Sequence, residues 1–385
     1  MPDPLPDLGL PAPIPEAARE AAAALLAAGR LHRYAEAGGN GGPVAELERA
    51  FAAVIGRRYA VAVNSCGSAM FLALLGTGVR PGDPVLMNAF TLGPVPGAIA
   101  HAGAVPVPVE ITEDLVIDRA DLRQKVKSSG AKHLLVSHMR GHLCDLAALR
   151  DLCTELGITL IEDCAHALGA SWAGTPAGAF GQAACFSLQS AKHVNAGEGG
   201  VLVTGDADLA ARAILHSGSY MLYAQNGTVP PPEVMNRWRN HCANFSLRMT
   251  PLVAALALPQ LPLLPERVAD WNRSHDRIAA ALRRHPDFSL PHRLPGRDRV
   301  GMQAFLAAAR KAGVYVKWFG TKEAEGYTSN PAHWAGVDAA QVPGARAIQA
   351  TLCDIRLPLG LSAEDCDRVA AVLVQAATET AHATT

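Results

Sequence analysis

A lysine that does chemistry must be presented into a cavity, and the stretch from Ala184 to Gly200 has a layout that does this. The apolar run Ala184-Cys185-Phe186 ends at Ser187, and Lys192 follows five residues later. Gly197-Glu198-Gly199-Gly200 then turns the chain into a second apolar run, Val201-Leu202-Val203. Lysines are mostly solvated, so Lys192 alone carries little. Two upstream stretches add to it. Thr159 to Asp163 reads as an apolar strand ending in the acidic pair Glu162-Asp163, with His166 three residues further on. Ala60 to Met70 reads as a strand, a turn of small residues through Gly67 and Ser68, and the start of a helix. Such a turn can offer backbone N–H groups and a helix N-terminus to a phosphate.

An anion cradle, a strand-end carboxylate and a presented lysine, in that order, meet the needs of pyridoxal 5'-phosphate. The lysine forms an imine (a Schiff base), the carboxylate keeps the pyridine nitrogen protonated, and the cradle holds the phosphate. The protonated ring draws electrons from an attached amino acid, and the released lysine is placed to carry the α-proton as general base and acid.

Three motifs, Asn64-Ser65-Cys66-Gly67-Ser68-Ala69, Glu162 to Ala170 and Ser187 to Gly200, resemble those of the DegT/DnrJ/EryC1/StrS family of pyridoxal-phosphate-dependent sugar aminotransferases, which are fold-type I enzymes. The similarity runs from about residue 30 to about residue 375. It implies that Lys192 is the imine-forming lysine, Asp163 the partner of the pyridine nitrogen and Ser187 a phosphate ligand. Gly67 and Ser68 would line the cradle, with Gln189 a further cofactor contact. His166 would lie near the ring or its phenolic oxygen, against the plainer reading of a satisfied core histidine. Asn244-Phe245-Ser246-Leu247-Arg248 resembles the segment that reaches the neighbouring subunit's phosphate, with Asn244 or Ser246 as the ligand. That implies a homodimer with shared active sites.

Several residues depart from the family pattern or admit two readings. Cys66-Gly67-Ser68 replaces the usual Ser-Gly-Thr, a mild change because the amides need no side chain. Leu92 stands where an aromatic commonly covers the cofactor ring, and Phe90 lies two residues away on the same face of an extended strand. Ser137-His138-Met139-Arg140-Gly141-His142 is more basic than usual, which suits either an anionic substrate group or a structural role. Glu198 either faces substrate or caps neighbouring amides. Trp318, Phe319, Tyr327 and Trp334 form either a wall for a polyhydroxylated ring or a core, and core is favoured. Arg356 to Ser362, followed by Glu364-Asp365, resembles the family's terminal strand and capped helix.

The elements that must position these residues alternate from Tyr59 onward, with strands expected at 59–63, 84–88, 105–109, 132–137, 158–162, 183–187 and 200–203. The rhythm predicts an α/β fold with a mainly parallel seven-stranded sheet, right-handed crossovers and the site beyond the C-terminal strand ends. By resemblance this is the type I transferase fold: a large domain over 31–260, a smaller C-terminal α+β domain over 261–385, and an N-terminal arm and helix over 1–30. Residues 1–14 read as a loose arm and Pro15 to Gly29 as a helix punctuated by Pro and Gly. Gly38 to Gly42 reads as a flexible loop. Val44 to Val54 reads as an amphipathic helix with Leu47, Phe51 and Val54 on one face. A proline-rich connection is expected over Pro286 to Arg297.

With 34 basic and 35 acidic residues, nothing in the charge suggests nucleic acid or an anionic membrane as partner. No apolar run approaches the roughly 20 residues of a bilayer span, and no leader-like start is visible, so a cytoplasmic protein is expected. Eight cysteines without a Cys-x-x-Cys pair suit reduced buried thiols better than disulfides or a metal site, and no metal is expected. The expected activity is transfer of an amino group from an amino acid, glutamate or glutamine, to a keto-sugar, cyclitol or related intermediate. The alternatives are an oxidase, lyase or dehydratase on the same scaffold, or a non-catalytic paralogue.

Overall fold

The computed structural model describes residues 4–34, 40–289, 293–324 and 326–381. Its centre is a seven-stranded sheet made of β1 (Tyr59–Val63), β2 (Pro84–Asn88), β3 (Val105–Val109), β4 (His133–Ser137), β5 (Thr159–Asp163), β8 (Ala183–Ser187) and β9 (Gly200–Thr204). Two-residue strands β6 (Ser171–Trp172) and β7 (Thr175–Pro176) form a separate hairpin. The spatial order is β1-β9-β8-β5-β4-β2-β3, and only β9 runs against the others. The seven expected strands are therefore the seven observed, within one residue at each end.

β1, β4, β8 and β9 are buried along their whole length, as apolar strands covered on both faces should be. The helix Cys66–Gly76, apolar nearly all round, is buried against this sheet. On the opposite face lie Phe51, Phe186 and Leu261. A separate cluster gathers Leu8, Phe305, Trp318, Cys366 and Leu373 from the C-terminal part of the chain and the arm, with the helix Leu264–Leu282 packed on Ala363–Glu379. The stretch Pro251–Leu282 is long and apolar enough to cross a bilayer by length and composition alone, with 39% of that window buried.

Two expectations are corrected here. Described residues of the arm are tied down: Ala12 O accepts from Asn195 Nδ2 at 2.8 Å, Pro13 O accepts from Arg267 at 2.9 Å, and Leu8 is buried. The second helix spans Gly42–Ile55, and its buried stripe holds Val44, Leu47, Phe51 and Ile55, while Val54 is 39% exposed. The stripe is displaced because it is centred on a charged residue. Glu48 is wholly buried and accepts from Arg33, Ala62 N, Asn226 and Gly227 N, so counting apolar positions alone misses its centre. Of the expected glycine loop, residues 38 and 39 lie outside the described residues, as do residues 290–292 of the proline-rich connection.

The sheet positions the site by register. Ser137 is level with Asp163, Asp163 with Cys185, Ser187 with Gly200, and Gly200 with Val63. Gly200 is a tight point, since a Cβ there would lie 2.4 Å from Ser65 C and O and 2.5 Å from Cys66 N. Gly200→Ala is expected to push the Ser65-Cys66 turn away from the sheet. It should cost about 1–3 kcal/mol of stability and weaken anion binding at that turn. Gly205→Ala, at the other end of the same strand, meets only Arg57 Nη1 at 3.7 Å and should be neutral. Thermal unfolding of both variants checks this, and equal melting points would remove the constraint.

Candidate active site

The C-terminal strand edge opens into a cavity of about 1450 Å³ lined by Cys66, Gly67, Leu92, Asp163, His166, Ser187, Gln189 and Lys192 among others. Most of the residues singled out in the sequence thus face one space. Ser68 and Asn244 do not line it.

At the cradle, Ser65 caps the helix Cys66–Gly76 by accepting from Ser68 N at 3.0 Å. Ser68 Oγ donates to Asn64 Oδ1 at 2.6 Å and meets Ser65 Oγ at 3.0 Å, so its hydroxyl serves the turn. The amides of Cys66 and Gly67, in the first helical turn, have no intrahelical acceptor, and both residues border the cavity. Ser187 Oγ, opposite, accepts from Gln189 N at 3.3 Å.

Asp163 forms the floor. Its Oδ2 accepts from Ser137 Oγ at 2.7 Å, and its Oδ1 accepts from Ala165 N at 3.0 Å and lies 4.0 Å from Cys66 Sγ. Burial, followed by the charge of Asp163, pushes the Cys66 thiol well above its usual range, so it stays protonated and donates. Ser137 was legible only as part of a basic stretch. Its role follows from register with Asp163, which requires the strand pairing to be known.

Glu162, the other half of the acidic pair, points to the opposite face and is wholly buried. It accepts from Gly178 N at 3.0 Å, Phe180 N at 2.9 Å, Gly181 N at 2.6 Å and His138 Nε2 at 3.0 Å. Burial alone would raise this carboxyl, but the bonds from His138 and the amides offset it and hold the group below its usual value. His138, Glu162 and Cys164 bring potential ligand atoms within 4.8 Å of one another, but the Glu162 oxygens are already occupied by these donors. Of the basic stretch, His138 is therefore structural, while Arg140 and His142 border the cavity.

Lys192 Nζ lies 2.6 Å from His166 Nε2. Burial first, and then the charges of Lys192 and Arg140, push the His166 imidazole well below its usual value. It is therefore neutral, and Nε2 is assigned as the acceptor for Lys192. Burial pushes Lys192 down to about 8, with Asp163 acting in the opposite direction. Burial likewise lowers His193 to about 4, and the ring lies edge-on to Trp271 at 5.3 Å.

Over the cavity, Leu92 is half-buried, whereas Phe90 is buried and packs on Phe319 at 5.3 Å. Next to Leu92, Thr91 Oγ1 is buried on the cavity wall with no hydrogen-bond partner. The aromatic residues divide between the two roles. Trp318, Phe319 and Trp334 are core, while Tyr327 is exposed on the cavity and accepts from Gln189 Nε2 at 3.2 Å. Glu198 is exposed on the rim. Asn244 Oδ1 accepts from Ser246 N at 3.0 Å, on an exposed segment beside β1 where Asn64 N donates to Leu247 O.

These groups fit the cofactor expected from the sequence. Free amides and a serine hydroxyl suit a phosphate, an anchored carboxylate suits a ring nitrogen, the low-pKa amine suits imine formation, and the Thr91 hydroxyl is left free for a ligand atom.

Comparison with known proteins agrees with this geometry. The chain is 34% identical to the spore coat polysaccharide biosynthesis protein SpsC of Bacillus subtilis over 246 residues, which is 62% of this chain and 60% of that protein. It is 40% identical to the dTDP-3-amino-3,4,6-trideoxy-alpha-D-glucose transaminase of Streptomyces venezuelae over 173 residues, 44% of this chain and 46% of that one. The alignments thus span less than two thirds of either relative. The fold matches crystalline 3-amino-5-hydroxybenzoic acid synthase with a TM-score of 0.81 at 24% identity, covering 97% of this chain and 100% of that one. The model of the DegT/DnrJ/EryC1/StrS aminotransferase family matches residues 33–373, a span that contains the cradle, Asp163, Lys192 and the small strands beyond them, and the chain belongs to that family.

Proposed function

We propose that this protein is a pyridoxal-phosphate-dependent aminotransferase that moves an amino group from an amino acid, glutamate or glutamine, to a keto-sugar, cyclitol or related intermediate. The observation that carries this reading is the half-buried Lys192, whose amine is lowered to about 8, in one cavity with the anchored carboxylate of Asp163. Relatives named for a sugar transaminase and for polysaccharide biosynthesis support the acceptor class.

Bound here, pyridoxal phosphate supplies a carbonyl that takes up amines and a protonated ring that withdraws electrons. The Cys66 and Gly67 amides and Ser187 hold the phosphate, with the positive end of the helix Cys66–Gly76 behind them. Ser137 and the Ala165 amide anchor the Asp163 carboxylate, which would face the ring nitrogen. Lys192 moves a proton at Nζ, and the neutral His166 accepts its hydrogen bond without adding a charge that would compete for that proton.

Lys192→Ala is expected to fold but to lose turnover by more than the roughly 10²–10⁴-fold value of general acid–base action alone. Mass detection of pyridoxamine phosphate after mixing with amino donors reads this out, and near-normal turnover would remove Lys192 from the role. Ammonia release with oxygen uptake in the wild type would assign an oxidase instead.

The lowered amine has a direct signature. Only a neutral amine is acylated, so in cofactor-free protein Lys192 should be labelled by acetic anhydride half-maximally near pH 8. Ordinary lysines reach that point near pH 10.4, roughly. Labelling follows the neutral fraction upward through pH 8, and pyridoxal phosphate should block it. A midpoint near pH 10 would show an amine that is not dehydrated.

Asn244 lies on an exposed segment and does not line the cavity that holds Lys192, which is compatible with a role across a two-fold interface. Mixing inactive Lys192→Ala subunits with Asn244→Ala subunits should regenerate activity through heterodimers. A monomer by light scattering, or no recovery from two variants shown to exchange subunits, would end the shared-site reading.

A further inference from the structure

The loop that carries Lys192 is held from one side by buried polar groups that the reaction itself does not use. Gln260, wholly buried, grips both backbone groups of Asn195: its Oε1 accepts from Asn195 N at 3.1 Å, and its Nε2 donates to Asn195 O at 2.7 Å. Arg267, on the helix Leu264–Leu282, is buried beside it. Its Nη1 donates to Gln260 Oε1 at 2.8 Å and to His193 O at 3.3 Å, and its Nη2 donates to Pro13 O at 2.9 Å. One turn further along that helix, Trp271 meets the His193 ring edge-on. Asn195 closes the circuit by donating Nδ2 to Ala12 O at 2.8 Å. One network therefore ties the residue after Lys192 to the N-terminal arm.

The arm held in this way is a wall of the cavity. Leu10, Pro11 and Ala12 line it, and Leu8 is buried in the C-terminal cluster with Ile278, Phe305 and Trp318. The arm thus runs from that cluster, along the cavity of Lys192, to the lysine loop. No carboxylate pairs with Arg267 among the described residues, and burial lowers its guanidinium below the usual value. A buried charge without a counter-ion is costly, and an apolar side chain would brace the helix at less cost. What the guanidinium adds is a rigid fork of donors that reaches acceptors on separate segments at once.

Resting on the role proposed for Lys192, we infer that Arg267 is a positioning residue: by holding His193 O and Pro13 O with one guanidinium, it sets the reach of the lysine and keeps the arm against the cavity so that water stays out. With the arm released, water enters and favours the ammonium, so Lys192 becomes harder to deprotonate. With the loop released, the amine leaves its attacking position, and a displacement of about 1 Å costs up to roughly 10²-fold in rate. The groups that face Lys192 (Asp163, Arg140, Arg356, Lys317, Cys66 and His166) belong to other elements. Loosening the arm leaves them in the sequence unchanged.

The test compares wild type, Arg267→Met, Arg267→Lys and Asn195→Ala by two measurements. One is the pH midpoint of Lys192 acetylation in cofactor-free protein. The other is the rate at which pyridoxal phosphate turns the protein yellow, corrected for the neutral fraction of the amine. Arg267→Met is expected to raise the midpoint by about one pH unit, toward that of a hydrated lysine, and to slow the colour change by about tenfold to a hundredfold. Arg267→Lys should recover part of both. Asn195→Ala changes no charge and frees Ala12 O, so it should raise the midpoint by a smaller step. A rise in Arg267→Met without one in Asn195→Ala would assign the effect to the lost charge and overturn the inference. So would unchanged midpoints and rates in variants that merely melt at lower temperature. Should Arg267→Met fail to fold, Asn195→Ala decides alone, and an unmoved midpoint there ends the proposal. Acetylation needs no cofactor, so a midpoint that moves as expected in a protein that never turns yellow sinks the aminotransferase reading and leaves the positioning role standing.

Discussion

The carboxylate of Glu162 is the constraint that the site depends on. A wholly buried carboxylate without partners is prohibitively costly, and this one is satisfied by three backbone amides of the 178–181 turn and by His138. Those bonds clamp the turn and the end of β4 to β5. Strand alternation then requires Asp163, one residue on, to face the opposite side, where Ser137 from the clamped strand reaches it. The residue that looks like a spare acid in the sequence fixes where the working acid points.

From that edge outward the site is assembled from neighbours in register. Asp163, Ser187 and Gly200 belong to strands that follow one another across the sheet, so the floor, the phosphate-facing hydroxyl and the close approach to Ser65 are set by hydrogen-bonded pairing. The amine is supplied differently, from the loop after β8, and dehydration makes it easier to deprotonate. A rigid edge therefore carries the anion-binding and carboxylate groups, while the loop carries the group that must move.

Much of this was legible in the sequence. All seven strands were, because buried strands in an alternating pattern announce themselves by short apolar runs between turn residues. The spacing of Ser187, Lys192 and the glycine turn, and the Asp163–His166 pair, were also visible, since each is local. Polar residues that act at a distance were not. Glu48 hides inside a helix whose apolar positions suggest another face, Ser137 needs the β4–β5 register, and Arg356 and Tyr327 are carried from the far end of the chain to Lys192 and Gln189. The arm over residues 4–14 looked loose because prolines give no periodicity, yet backbone carbonyls at Ala12 and Pro13 find donors in Asn195 and Arg267.

The reversed strand β9 has a further consequence. It sits between β1 and β8, so β1, formed early in the chain, has no sheet partner until residues 200–204 have been made and have folded back. Pairings of such large sequence separation form late, because the loop entropy must be met before the contact rewards it. The phosphate cradle that follows β1 is braced by Gly200 at the head of that late strand. During synthesis β1 and the turn that follows it therefore exist long before their brace is made, and the anion site is completed only once more than half of the chain has emerged.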